Sequence, residues 1–377
     1  MKQRRLICLL LACSLLLSGC VYNANRLADI GIVKGVAFDT GENGEKYNMT
    51  ACMLRSAEDD GGYINYSAMG STLAELRAGI SNMSERSPFL GQNDIIAVSE
   101  ELAKKDFAGV VQAFFASQEK YGTEQIAIIE GASAADVLSY ENGFSQPPPV
   151  SLLLLIKNAA THSFAVKTNV KNVQNGLKGI GNTALVPVCR LEGEGEDARL
   201  AVSGMGVVKG KVLTGILQPE EAMGVKWISG DMEDTFHTIY VPELQEDFGV
   251  EIVEAETNVT AEKKDGKLHF SIAIQFYFSI SEQSGSSNTL AEQNQTYILQ
   301  AAEAQAEEQA MMAIDKMKEW KADFLNLAAV YLNRHPEEME KYEYIWGDTL
   351  SESAYSVEAK SALRFQGTPE KSEYLWE

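Results

Sequence analysis

Only four histidines occur in the 377 residues, and they stand far apart at His162, His237, His269 and His335. That spacing excludes a zinc site built on close His or Cys pairs. A Gly-x-Ser-x-Gly elbow, a phosphate-binding loop ending in Lys-Ser/Thr and a dinucleotide glycine pattern between strand and helix are all missing. No catalytic residue, no cofactor and no metal site is therefore expected. Positive charge is scarce as well: 32 Lys and Arg face 53 Asp and Glu, for a net charge of −21. Such a surface repels phosphate backbones and anionic headgroups alike, so nucleic acid is not an expected partner and neither is a basic membrane-binding patch. The composition is otherwise that of a folded protein, 45% hydrophobic and 23% charged. The length suits two or three domains of ~100–200 residues each.

What is present begins at the N-terminus. Lys2, Arg4 and Arg5 precede an apolar stretch from Leu6 to Leu17, followed by Ser18 and Gly19. This is the order of a secretory signal. The apolar part spans only ~18 Å as a helix, against ~30 Å for a hydrocarbon core, so a permanent transmembrane helix is not expected. Leu17-Ser18-Gly19-Cys20 has the form of a bacterial lipoprotein signal, in which residues 1–19 are removed and Cys20 carries a diacylglyceryl group. Two acyl chains anchor stably without help from the protein surface. Cleavage would remove three cations and no acids, taking the charge from −21 to −24. It would also leave Cys52 and Cys189 as the remaining thiols. Both sit in apolar strand-like segments, which favours buried free thiols over a disulfide.

Periodicity then divides the chain. Ile30–Phe38 and Tyr47–Leu54 flank an Asn-Gly turn and read as a hairpin. Residues 56–70 read as an exposed polar loop, and Ser71–Met83 as a helix with Leu73, Leu76, Ile80 and Met83 on its core face. Asp94–Val98 and Gln125–Ile129 read as strands; Ser99 is the expected cap of a helix to Phe115, and Ser133 that of a short helix through Leu138. Pro147-Pro148-Pro149 suggests a stiff linker or domain edge. After it, Leu152–Ile156 reads as a buried strand or helix segment and LVPVCRL as a strand. Glu192, Glu194, Glu196 and Asp197 lack calcium-loop spacing and read as a solvated loop. Further on, Lys209-Gly210 marks a tight hairpin, Pro219 starts a short helix ending near Gly224, and Lys264-Asp265-Gly266 joins strands Val250–Ala261 and Lys267–Ser281. Leu268, Phe270, Ile272, Ile274, Phe276 and Phe278 alternate on one face of the second of these. A long helix from Thr289 to about Trp320, a shorter one ending before Pro336 and a strand Tyr355–Phe365 close the chain. The expected architecture is α+β with mixed α/β character, antiparallel-rich sheets and a long helix in the C-terminal domain. Its expected parts are a 1–19 signal, a 20–145 mixed α/β domain, a small 146–200 middle domain and a 201–377 α+β domain.

These residues together resemble the Ger(x)C spore germination lipoproteins, the C subunits of nutrient germinant receptors. The likeness rests on Cys20, Leu27–Asp39, Val98–Lys104, Leu185–Leu191, Gly204–Gly230, a long helix, Leu332–Pro336, Trp346, and a closing alternating strand with Gly367. The chain departs from that family's habits where Val21-Tyr22 follow Cys20, at Gln92, and at Met339. The resemblance implies a non-enzymatic subunit assembling with integral membrane subunits of the A and B type. It would be held by lipidated Cys20 on the outer face of the cytoplasmic or spore inner membrane. The competing expectation is a solute-binding lipoprotein serving a transporter, with a ligand between domains.

Overall fold

The computed structural model describes residues 29–55, 62–115, 122–140, 147–193 and 198–364. The signal, Cys20, the acids at 194–197, Phe365 and Gly367 lie outside them. The fold is α+β, built on two sheets.

The first sheet has the order β3-β2-β1-β5-β6-β7-β8-β9, with short β4 (Ser87–Phe89) pairing β1 (Ile30–Thr40) beside β5 (Ile95–Ser99). Its centre is parallel: β1, β5, β6 (Gln125–Glu130) and β7 (Thr183–Glu192) run the same way. Antiparallel strands finish both sides, β2 (Tyr47–Leu54) and β3 (Tyr63–Gly70) on one, β8 (Arg199–Lys209) and β9 (Val212–Leu217) on the other. Parallel strands need both faces covered. Helices α1 (Leu73–Ser81), α2 (Glu100–Phe115) and α5 (Val170–Lys178) cover one, through Leu76, Ile80, Phe107, Phe114 and Val173. Helices α3 (Ala134–Val137) and α4 (Pro148–His162) cover the other, through Val137, Leu152 and Ile156. Cys52 and Cys189 are free and buried on this second side. Four inter-strand steps separate β2 from β7, ~19 Å at the usual spacing, far beyond the ~7 Å a disulfide can bridge.

Several local expectations change. Residues 63–70 form an edge strand, β3, because Tyr63, Ile64 and Tyr66 pair with β2 through Leu54, Met53 and Ala51. Thr72 closes a capping box with Glu75 at the start of α1, whereas Met83 is 53% exposed. The Ser99 hydroxyl is buried without a hydrogen-bond partner and does not cap α2. That helix is broken at Asp106 (φ −161°, ψ 59°), whose carboxylate accepts from Tyr47 Oη at 2.9 Å and from the Gly109 amide at 3.2 Å. Pro148 and Pro149 open α4 rather than forming a linker, since the first turn of a helix has no partner for the N–H that proline lacks. Residues 146–200 contribute α4, α5 and β7 to the first sheet. Within LVPVCRL the run Val186, Pro187, Val188 and Cys189 is buried as in a central strand while Arg190 is exposed, and the sheet continues to Leu217.

The second sheet has the order β10-β11-β12-β13. Its axis is a long antiparallel pair, β11 (Glu246–Lys264) and β12 (Lys267–Gln283), turned at Asp265 and Gly266, both with positive φ. The two-residue turn needs this conformation to match the twist of the strands. Thr235–Val241 adds β10 antiparallel to β11, and Ala354–Leu363 adds β13 parallel to β12. The aliphatic and aromatic face of β12 is buried under α6 (Pro219–Ser229) and α7 (Glu292–Trp320). Helix α6 runs past Gly224 to a left-handed cap at Gly230. Gly224 is required by helix contact: a Cβ there would lie 1.9 Å from the Gln309 carbonyl oxygen of α7. Short helices α8 (Leu327–Leu332), α9 (Met339–Tyr342) and α10 (Trp346–Glu352) lead to β13.

Candidate functional site

One buried charge lies where α4, α6 and β10 meet. Helix α6 starts on a capping box in which the Gln218 amide donates to the Glu221 carboxylate at 2.8 Å. Two turns later it carries Lys226, which is 2% exposed. The Lys226 ammonium donates to the carbonyls of Ala160 at 3.0 Å and Ser163 at 2.7 Å, at the C-terminus of α4, and to Thr235 Oγ1 at 3.2 Å. Carbonyls at a helix C-terminus carry partial negative charge, so a cation suits them. Burial nonetheless pushes the Lys226 pKa down, with Asp231 pulling weakly the other way. Beside it, His162 Nδ1 lies 3.0 Å from the Asp234 carbonyl. These bonds tie the end of α4 to α6 and β10, beside the hydrophobic cluster that joins Met205, Val207 and Leu217 of the first sheet to the core of the second.

A second buried charge lies at the far end of α7. Asp323 accepts from the Leu327 amide at 2.8 Å, the Ala328 amide at 2.7 Å and Trp346 Nε1 at 2.8 Å. These bonds favour the carboxylate, but burial dominates and raises its pKa. Asp323 also borders a cleft of about 570 Å³ between α5, the turn before β7, and α8. Asn172, Asn175, Asn326 and Asn333 give that cleft a neutral, amide-rich wall.

Between α6, α7 and β10 runs a polar chain. Trp227 Nε1 donates to Gln309 Oε1 at 2.8 Å, and Gln309 Nε2 in turn reaches Glu220 and, at 3.3 Å, His237 Nε2. Accepting there places the His237 proton on Nδ1. Burial lowers the His237 pKa, while Glu220 and Gln305 work against that shift. The chain opens on a second cleft of about 500 Å³, lined by Glu220, Phe236, His237, Glu282 and Gln305 among others.

Burial pushes the Cys52 and Cys189 thiols up to about 12, so neither is a thiolate near neutral pH. Among the described residues no group of three His, Cys, Asp or Glu is placed to hold a metal ion. Of the four histidines, His162 and His237 come close to each other at β10: His162 of α4 lies against Phe236 with ring centroids 5.6 Å apart and the planes tilted by 33°, while His237 faces Gln309. Lys226, Asp323 and Gln309 were not singled out by sequence. A lone lysine inside AMGVKWIS was the available signal.

Comparison with known proteins gives a consistent result. A family model described as "Spore germination protein N-terminal domain" matches residues 23–191. A second, "Spore germination B3/ GerAC like, C-terminal", matches residues 203–367. Spore germination protein KC of Bacillus subtilis (strain 168) is 20% identical over 398 residues, covering 95% of this chain and 95% of that protein. The crystal structure of the GerBC protein aligns with a TM-score of 0.57 at 16% identity, over 90% of this chain and 99% of that one, a likeness of fold.

Proposed function

Because this chain belongs to the Ger(x)C family of spore germination proteins, the germinant receptor C subunits, we propose that it is a non-enzymatic, lipid-anchored subunit assembling with integral membrane A and B subunits. The observation that carries this reading is the pair of family matches, which together run through nearly the whole chain. Among the described residues no helix is long and apolar enough to cross a membrane. Attachment in this reading falls to diacylglyceryl-Cys20, on the outer face of the cytoplasmic or spore inner membrane. Nine residues, ten Cα steps, separate Cys20 from the start of β1 at Ile30, at most ~36 Å of extended chain. The first sheet would therefore stand close to the bilayer, with the partner subunits' exposed loops in reach.

Metabolic palmitate labelling and membrane fractionation of wild type and Cys20→Ala test the anchor, with loss of label and release from membranes expected. Deleting the gene should abolish the germination response to at least one nutrient and lower the level of the membrane subunits. Normal germination with every nutrient would sink the proposal.

A further inference from the structure

Strand β3 is the outermost strand of the first sheet on the β1 side. It pairs with β2 in unbroken antiparallel register from Leu54↔Tyr63 to Tyr47↔Gly70. Just beyond the first of these pairs, the Arg55 amide donates to the Gly62 carbonyl at 3.0 Å, so residues 55 and 62 are a hydrogen-bonded pair. Such pairs recur at every second position of an antiparallel ladder. The N–H and C=O groups of Ile64, Tyr66, Ala68 and Gly70 therefore point at β2, and those of Asn65, Ser67 and Met69 point away from the sheet. Among the described residues no backbone hydrogen bond reaches these six outward groups. The outer edge of β13 differs, because there the Ala359 and Ser361 amides donate to Glu307 and Glu303 at 2.9 and 2.8 Å.

Exposed edges are ordinarily blunted by charge, proline or a bulge. The β3 sequence YINYSAMG has no charged residue and no proline, and its ladder to β2 has no bulge. Its two faces specify what can lie beside it. Ile64, Tyr66 and Ala68 pack against the core under α1, which comes so near that a Cβ at Gly79 would lie 2.7 Å from that of Ala68. On the other face Met69 is 43% exposed, and Asn65 Nδ2 donates to the Leu138 carbonyl at 3.1 Å and to Ser139 Oγ at 3.0 Å. An added strand would set apolar or aromatic side chains beside Ile64 and Tyr66, where cross-strand contact is favourable, and uncharged ones beside Asn65 and Ser67. Asn65 to Met69 spans ~14 Å, so a short segment suffices.

Position and charge narrow the occupant. Strand β3 runs in the same direction as β1, so Tyr63 lies at the end of the sheet where Ile30 begins and the tether from Cys20 arrives. Between two copies of this chain, each at −21, repulsion opposes the joint; a strand from a less acidic chain meets none.

We propose that β3 is a docking edge, along which an extended, uncharged segment of an integral membrane partner, apolar at alternate positions, adds a strand to the first sheet. The proposal rests on the reading of this chain as an assembled receptor subunit. Main-chain bonds supply the affinity in this mode, and the alternate side chains supply the selectivity.

Residue-resolved hydrogen exchange tests it, on the full mature chain alone and on the complex co-purified with the membrane subunits in detergent. Alone, the Asn65, Ser67 and Met69 amides should exchange at least tenfold faster than those of Tyr66 and Ala68, and in the complex they should slow at least tenfold. Ser67→Pro removes one outward N–H where an edge strand tolerates proline, so the urea midpoint should change little while capture of the membrane subunits falls at least tenfold. Met69→Lys should lower capture likewise. A complex that forms with the three amides still fast overturns the docking edge alone, as does undiminished capture by both variants. Slow exchange of the three in the isolated chain, slower still at higher concentration, puts a second copy on the edge and overturns the membrane partner. Failure of the wild-type chain to capture the membrane subunits overturns the assembly reading, and this proposal with it.

Discussion

Replacing Lys226 by methionine tests whether a buried ammonium ties α4 to α6 and β10. The side chain makes three bonds, two of them to α4 carbonyls and one to Thr235 Oγ1. Methionine is close in volume and keeps the packing against Trp227 and its neighbours. It leaves the Ala160 and Ser163 carbonyls without their donor, however, and a buried acceptor left unpaired costs ~1–3 kcal/mol. Thr235 suffers less, because its hydroxyl also reaches the Thr161 and Glu233 carbonyls at 3.4 Å. Relief of the ammonium's desolvation offsets part of the loss, and no opposing charge is stranded, so the ~3–5 kcal/mol of a broken buried ion pair is an upper limit. A net destabilisation of about 2–4 kcal/mol follows. Lys226→Ala should cost more, by the cavity it adds.

The same residue fixes a pH dependence. Its pKa in the folded chain lies below the unfolded value of ~10.4. Below the folded pKa, lysine is charged in both states and the cost of burying the ammonium is fully present. As pH rises from that value towards ~10.4, the unfolded chain holds more protons than the folded one, so stability increases across the window. Urea unfolding of the mature chain, followed by tryptophan fluorescence at pH 7.5 and 9.5, reads both effects. Wild type should gain stability relative to K226M between the two pH values, and K226M should unfold at lower urea at pH 7.5. A variant as stable as wild type would show that the bonds do not outweigh the burial cost. Identical changes with pH in both proteins would refute burial as the cause of the shift.

Gly224→Leu should destabilise the fold by about 1–3 kcal/mol or more, because any side chain at that position drives α6 off the Gln309 backbone; an unchanged urea midpoint would show that the helices can move apart freely. With both thiols pushed up to about 12, roughly one in 10⁴ is ionised at pH 8. The folded mature chain should accordingly react with Ellman's reagent on a scale of hours or longer, and in guanidinium release two equivalents at once; fast labelling when folded would place a thiol at the surface. Replacing Glu303 and Glu307 by alanine removes the acceptors that occupy the β13 edge amides. Exposed edges template further pairing, so the double variant should self-associate in a concentration-dependent way that light scattering detects, and a monodisperse variant would contradict the edge-capping role.

The parts of this fold that were legible share one property: their cause lies within a few residues. Buried Leu268, Phe270, Ile272, Ile274, Phe276 and Phe278 announce a half-buried strand by alternation, and Asp265-Gly266 fixes the turn that sets its register with β11. Ser133 caps α3 across two residues. Edge strands β3 and β10 escaped for the same reason. Their outward residues include Ser67 and Met69, or Phe236 and Tyr240, so neither alternates cleanly between apolar and polar. What pairs them is a neighbour, and periodicity in one segment does not report on its neighbour. The proline run was misleading because Pro147–Pro149 satisfies both a linker and a first helical turn, and only the burial of Leu152 and Ile156 against the sheet decides between them.

The junction lies beyond local reasoning for a different physical cause. Lys226 is partnered by the carbonyls of Ala160 and Ser163, more than sixty residues upstream, and Gly224 is dictated by the carbonyl of Gln309, more than eighty downstream. Every residue has such a carbonyl, so a backbone acceptor leaves no mark in the sequence. Only its donor can be seen: a lysine among Met223, Val225, Trp227 and Ile228, all of them buried. A cation in that setting must find acceptors or lose its charge. Where carboxylates do not supply them, the end of a helix is the next concentrated source of negative partial charge. A lone basic residue in an otherwise buried helix is thus itself a forecast of a docked helix terminus, and here the terminus is that of α4.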